Sequence, residues 1–424
     1  MALQSGLSGL NAAAKSLDVI SNNVSNGSTV GFKLSSSVFS DLFASAINGA
    51  ASSTQVGIGT SISKVAQQFS QGNISTSSNP LDMAINGDGF FRLSDAGTIS
   101  FTRNGQFQLD KNGYVSSSSG LHLTGYGVDA NGKIVAGPLS DIRVNNAILP
   151  PVATGQSSAG TGIEIQMNFN AADEVKTDSA GTAVATFNQA DGTTYNFSTS
   201  VSVYDQSGAQ HSLGLFFQKQ FPGTSTTDWK IYTSVDGGTA STTAQTLTFD
   251  NTTGKVSGSG LLSIGIDIDQ SVYTAPDMTG VPLNFTGSTQ YSGSYAVNSS
   301  TQDGYAAGQL SGIAIDATGV VKGKYSNGQT TNLGQVVLAH FADPGGLQSA
   351  GGNLWSESAA SGQPQVGAPG TGQLGAIQSG ALEDSNVDLT AELVNMITAQ
   401  RNYQANAQSI KTQDQLMQTL VNLR

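Results

Sequence analysis

The stretch "SNNVSNGSTVGFK", residues 21–33, comes directly after a regular apolar repeat and is itself almost free of apolar side chains. Upstream, Leu3, Leu7, Leu10, Ala14, Leu17, Ser21 and Val24 are spaced 4-3-4-3-4-3, which is a heptad seam on a helix. The seam ends at Val24. Asn22, Asn23 and Asn26 then stand where a helix terminus needs side chains to satisfy its free backbone groups. Gly27 and Gly31 allow the chain to turn sharply, and Phe32 reads as an apolar plug. The run is a fixed elbow from a helix to the β layers of the chain, not a ligand loop.

The same spacing returns at the other end. Leu389, Leu393, Met396, Gln400, Tyr403, Ala407, Ile410, Asp414, Met417 and Val421 form a second, longer seam, widened by Leu416, Leu420 and Leu423. No Gly or Pro lies between Ala381 and Arg424. Ser385 to Asp388 fits an S-x-x-[DE] helix start. At 1.5 Å per residue the N-terminal helix spans roughly 33 Å and the C-terminal one roughly 55 Å. Gly6 and Gly9 weaken the first by about 1 kcal/mol each, so packing must order it. Leu3, Leu7, Leu10, Leu17, Val24, Leu389, Leu393, Met396, Tyr403, Ile410, Met417 and Leu420 are the expected assembly seam. Gln400 and Asp414 fall on it as polar residues that could fix register or face solvent.

Between the ends the pattern changes to period two. "GFFRLSD" (89–95), "ISFTRNGQFQLD" (99–110), "GYVSSSSGLHLTGYGVD" (113–129), "GKIVAG" (132–137), "HSLGLFFQK" (211–219) and "WKIYTSVDG" (229–237) alternate as strands do. Asp110–Gly113, Asp129–Gly132, Asp205–Gly208 and Asp316–Gly319 repeat a D-x-x-G turn, with Asp250–Gly254 one residue longer. They lack the ligand set of a calcium loop and read as hairpin turns. Ser/Gly/Ala/Thr-rich tracts suggest nesting: the chain leaves a helical base, passes through an inner β domain, builds an outer one and returns.

Composition narrows the function. In 424 residues the charged fraction is 11% and the net charge −12, with 17 basic residues spread thinly, which excludes a nucleic-acid surface. There is no cysteine, hence no disulfide or thiolate chemistry. No apolar run reaches membrane-spanning length, and the first residues do not form a cleavable signal. His122, His211 and His340 are isolated from one another. Gly87-Asp88-Gly89 reads as a turn entering a strand. Asp267 and Asp269 could share a strand face as a carboxylate pair, but read as solvated charge. No catalytic, cofactor or metal residues are expected.

Residues 8–33, "SGLNAAAKSLDVISNNVSNGSTVGFK", resemble the N-terminal signature of the flagellar rod and hook axial proteins. "LDMAINGDGFFRL" (81–93) and "FTRNGQFQLDKNGYV" (101–115) resemble that family's inner β domain, and residues 380–424 its C-terminal signature. The large β insertion and the ending "TLVNLR" look hook-like. The resemblance implies a multidomain, mainly β fold with paired N- and C-terminal α-helices, its nested discontinuous β domains standing on a helical coiled-coil base. The helical domain would comprise 1–26 and 385–424, a connecting region 27–80 and 367–384, an inner β domain 81–155 and 291–366, and an outer one 156–290. It implies a structural subunit of a curved, flexible tube that transmits motor torque and encloses an export channel. Partners would be further copies of the chain, the distal rod protein, the hook cap protein, the hook–filament junction protein and the flagellar type III export apparatus. The alternatives are a straight distal rod subunit and a secreted β-rich adhesin or glycan-active protein with helical ends.

Overall fold

The computed structural model describes residues 2–42, 59–129, 132–145, 148–157, 160–270, 272 and 275–422, the side chains of 2, 3, 42 and 420–422 excepted. Two long helices, α1 (Ala2–Ser25) and α2 (Leu389–Asn422), enclose a chain that is otherwise mainly β. The chain divides into two compact units. One is drawn from 1–146, 312–324 and 330–424, the other from 147–311 and 325–329.

In the first unit α1 and α2 pack antiparallel. Gly6 lies against Ile410 and Gly9 against Asn406 at one end, while Gly27 meets Leu389 at the other. The elbow leads into an antiparallel ribbon, Ser35–Leu42 with Gly59–Gln67, whose register shifts between Val38 and Phe39. A larger sheet places Thr330–Val336, His122–Tyr126, Phe90–Asp95, Thr98–Thr102, Leu354–Ser356 and Gln348–Gly351 side by side. Its core is aromatic: Phe101 meets Phe341 edge-on at 4.8 Å, and Phe90 meets Trp355 at 5.8 Å. Two short ladders tie early chain to late chain. Met83–Asn86 pairs with Ala376–Ser379, and Ile74–Thr76 pairs with Ala381–Glu383.

The second unit is a sandwich. One sheet is antiparallel, in the order Phe197–Tyr204, Gln210–Lys219, Thr226–Val235, Gln245–Asp250. The other is mixed. Ile163–Asn170 runs parallel to Met278–Asn284 and Thr289–Tyr291, and antiparallel to Ala296–Gln302. Alternate residues of each sheet point inward, so Ile163, Ile165, Met167 and Phe169 meet Leu213, Leu215, Phe217 and Trp229 in one core. Phe169 touches four rings, those of Phe217, Trp229, Phe249 and Phe285.

Three strand readings need correction. The run 99–110 is two strands, Thr98–Thr102 and Phe107–Leu109, which pair with different neighbours. The run 113–129 is not one strand but Val115–Ser117 and His122–Tyr126, paired across a turn. The Ser117 carbonyl accepts from the Gly120 N–H at 2.9 Å, and Gly120 has φ +84°, which a central strand cannot hold. "GKIVAG" makes only an isolated bridge, Val128 to Ile134. It is short and sits between a left-handed Gly132, φ +72°, and the Gly137-Pro138 step.

The D-x-x-G turns share one construction. In each, the Gly N–H donates to the Asp carbonyl, at 3.0 Å for Gly113 and Gly132, 3.1 Å for Gly208 and 2.9 Å for Gly319. The Asp carboxylate then accepts the N–H four residues on: Tyr114 at 2.7 Å, Lys133 at 2.9 Å, Ala209 at 2.8 Å and Val320 at 3.0 Å. At Asp110, Asp205 and Asp316 burial pushes the carboxyl pKa up, but these bonds outweigh it and the net direction is down. The folded value therefore lies below the unfolded one, about 3.9. Their stabilisation is complete above that value and disappears as pH falls through the folded pKa. Thermal melts from pH 7 to pH 2 should show a loss of stability confined to the acid side of pH 4. Asp205→Ala, which strips a fully buried carboxylate of its Ala209, Ser207 and His211 contacts, should cost about 1–3 kcal/mol at pH 7 and much less at pH 2.

Candidate functional site

The elbow and the C-terminal segment meet in a buried junction. Helix α1 closes with Asn26: its N–H donates to the Asn22 carbonyl at 3.1 Å, and its side-chain amide donates to the same carbonyl at 2.9 Å. Asn22 is exposed and Asn26 half-buried. Asn23, one residue on from Asn22, is 1% exposed and does more. Its amide holds the Ser35 backbone on both sides, receiving the N–H at 3.0 Å and donating to the carbonyl at 2.8 Å. It also donates to the Glu392 carboxylate at 3.0 Å, joining α1 to α2 and to the ribbon. Asn22, Asn23 and Asn26 thus have different tasks, although they look alike in sequence.

Gly31 has φ +71°, and its N–H donates to the Glu383 carbonyl at 2.8 Å. A Cβ there would lie 2.5 Å from the Asn104 backbone nitrogen, so only glycine lets these segments touch. Phe32 is buried beside it. Lys33 turns inward with its side chain fully buried. Its Nζ lies 2.7 Å from Glu383 Oε1 and donates to the Ser70 carbonyl at 2.7 Å. Arg103 reaches the other oxygen of Glu383 at 3.1 Å and donates to the Gly87 carbonyl at 3.0 Å, while its guanidinium lies over the Phe90 ring. The Gly72 N–H completes the shell of Glu383 at 2.9 Å. One carboxylate therefore serves two cations. Burial pushes the Lys33 ammonium below the usual lysine range, and the Glu383 charge opposes that only in part.

Asn386 joins two stretches of chain, one at Leu34 and one at 68–70. It accepts the Leu34 N–H at 2.7 Å and donates to the Gln68 carbonyl at 2.8 Å and the Ser70 carbonyl at 3.2 Å. This corrects the expected helix start. Asn386 is held out of the helical path, so the cap is Asp388, whose carboxylate accepts from Thr390 at 2.9 Å and Ala391 at 3.2 Å. Ser385 is not the cap.

The helices bury Ala13, Ile20 and Asn23 of α1 and Glu392 and Ala399 of α2. Asn406 and Ile410 meet Gly9 and Gly6. Of the residues read as the assembly seam, Leu10, Leu17, Val24, Met396 and Ile410 are half-buried. Leu7, Leu389, Leu393, Tyr403 and Met417 are exposed, Leu393 by 49% and Met417 by 53%. The side chains of Leu3 and Leu420 lie outside the described residues. Sequence patterns do not single out Lys33, Arg103, Glu383, Asn386 or Glu392. The available signal is that Lys33, Glu383 and Glu392 are charged residues beside apolar ones in a chain with very few charges, whereas Arg103 sits between Thr102 and Asn104, Asn386 sits in the mainly polar run 383–388, and neither carries that signal.

Among the described residues no three His, Asp or Glu side chains could hold a metal. His122 is paired with Asp141 at 3.0 Å and stacked on Tyr114. His211 is buried, 2.7 Å from Asp236 and 3.4 Å from Asp205. His340 lies in the strand Leu338–His340. Asp267 and Asp269 are exposed just beyond the strand Leu261–Ile266.

The chain matches four family descriptions in order. These are flagella basal body rod protein over 3–33, flagellar hook protein FlgE/F/G D1 domain over 84–184, flagellar basal body protein FlaE D2 domain over 168–305, and flagellar basal body rod FlgEFG protein C-terminal over 378–423. Together with the clasped ends, they define an axial structural protein of the flagellar rod and hook class. It is 39% identical to the flagellar hook protein FlgE of Escherichia coli K12, with 100% of both chains covered. It is 34% identical to that of Brucella suis over 100% of this chain and 98% of the relative, and 31% identical to that of Borreliella burgdorferi over 100% and 99%. The chain belongs to the flagellar hook protein family, as a structural and non-enzymatic subunit. A crystal structure of Helicobacter pylori flagellar hook protein FlgE2 shares the fold, with TM-score 0.53 at 16% identity over 73% of this chain and 100% of that one.

Removing Glu383 leaves two buried cations without a counter-charge. Glu383→Gln should lower stability by about 3–5 kcal/mol, measured by denaturant unfolding. Gly31→Ala should also destabilise the chain, through the clash with Asn104.

Proposed function

We propose that copies of this chain polymerise through their terminal helices into a curved, flexible tube. The tube would carry motor torque to the filament, with the helices lining a central export channel and the β units outside them. The observation that carries this reading is the set of large apolar side chains that α2 leaves unburied. Leu389, Leu393, Val394, Ile397, Leu416 and Met417 are between 43% and 59% exposed. A helix that presents so many large apolar side chains to water has a further surface to cover. Covering it stabilises the assembly by roughly 25 cal/mol per Å² of apolar surface. The uncharged Ser, Thr, Asn and Gly surfaces of the β regions suit neighbours that slide as the tube bends. The segments read as helical, connecting, inner and outer domains would form successive radial layers.

The same reading supplies the partners. The distal rod protein would sit below the polymer, the hook cap protein would guide its growth, and the hook–filament junction protein would end it. Subunits would leave the cell through the flagellar type III export apparatus. The elbow residues Asn22, Asn23, Asn26, Gly31 and Phe32 would repeat one geometry in every copy.

Leu393→Asp should abolish polymers seen by electron microscopy while changing monomer stability by about 0.5 kcal/mol or less, because Leu393 is exposed in the monomer. Ile410→Asp should damage both, because Ile410 packs on Gly6. Normal polymers from Leu393→Asp would remove the seam from the proposal. Straight rods in place of curved tubes would favour a rod-like subunit.

A further inference from the structure

A cleft of about 360 Å³ opens where α1, α2 and the ribbon meet. Its lining is mostly polar, with Ser16, Ser35, Glu392 and Asn402 among it, and Val19, Ile20 and Leu34 form an apolar patch. Glu392 is 7% exposed. Its carboxylate accepts from Asn23 at 3.0 Å and Asn395 at 3.0 Å, and it forms no ion pair with a cation among the described residues. A carboxylate offers about four acceptor sites, so roughly two remain. A buried carboxylate facing a cleft without a cation is a costly arrangement unless something supplies the charge.

The same helix carries a cation in the complementary setting. Arg401 is exposed and makes no ion pair among the described residues, whereas Lys15 of α1 is paired with Asp18. Arg401 lies nine residues beyond Glu392, which is two and a half turns, so the two stand on opposite faces of α2. Val394 and Ile397, seven and four residues before Arg401, share its face and are 58% and 52% exposed. One side of α2 therefore presents a cation flanked by apolar side chains. The other side borders a mainly polar cleft with a carboxylate in it and one apolar patch, Val19, Ile20 and Leu34.

We propose that the cleft receives Arg401 of a second copy of this chain, its guanidinium on Glu392 and its Val394 and Ile397 against the cleft walls. Arg suits this role because its planar fork bonds a carboxylate bidentately. Donor face and acceptor cleft lie on opposite sides of one helix. The contact is therefore head-to-tail: it cannot close on a two-fold axis, and it propagates in one direction. This rests on the polymer reading above and names the contact that gives the polymer its polarity.

The test compares the critical concentration for polymerisation of the full chain with those of Glu392→Gln, Arg401→Gln and the double variant. Each single change should raise it about tenfold, and the double no more than the worse single. Arg401→Lys should recover only part of the loss. Fully additive effects, or none, overturn the pairing. An independent arm uses the absence of cysteine. Copies carrying Ser16→Cys in the cleft lining, mixed with copies carrying Ile397→Cys, should form mixed disulfides within polymers when a thiol oxidant such as oxidised glutathione is added. Polymers without that cross-link overturn the proposal even where Glu392→Gln folds poorly. If the unaltered chain does not polymerise, the polymer reading falls as well.

Discussion

One buried carboxylate organises the base of this molecule. Glu383 accepts from Lys33, Arg103 and Gly72, and each of those groups belongs to a different segment of the chain. Lys33 ends the elbow, Arg103 lies beyond the strand Thr98–Thr102, and Glu383 ends the strand that leads towards α2. Desolvating three charges is expensive, and an apolar trio of similar volume could be as stable. What the ions add is directionality. A misplaced segment leaves a charge bare, so wrong arrangements of the elbow are penalised far more than they would be in an oily contact.

Around that centre the polar side chains act as rivets. Asn23 and Asn386 each span several segments, and the Asn353 side chain reaches the Val30 carbonyl at 3.0 Å. The path from helix to ribbon is held mainly by amides whose partners are backbone groups. Glycines supply the remaining fit. Gly6, Gly9 and Gly27 let the helices approach until a Cβ would touch the opposing side chain.

Much of this is legible in sequence. Heptad spacing marks both helices, and period-two alternation with D-x-x-G turns marks the sheets, because both patterns are local. The fine alignment of the helices is not legible. Met396 and Ile410 belong equally to a line through Leu389 and Leu393 and to one through Glu392, Ala399 and Asn406. Apolarity favours the first line, yet the second faces α1, where Gly6 and Gly9 leave room for Ile410 and Asn406. Propensity alone marks those glycines as weaknesses. The Lys33–Glu383–Arg103 group escapes notice because no periodicity connects lone charges far apart in sequence. The S-x-x-[DE] motif favours Ser385 over Asp388 as the cap because a motif cannot reveal that Asn386 is engaged elsewhere.

Lys33 and Glu383 are 350 positions apart, and the Asn23–Glu392 bond spans 369. A chain entering its folding environment end first cannot make these contacts until nearly all of it has arrived. The β units, whose pairings are mostly nearer in sequence, can settle beforehand, and each settled unit shortens the effective loop left to close. Contact order places closure of the base after those shorter-range pairings. The contact between the terminal helices then closes a loop of 369 positions through Asn23 and Glu392.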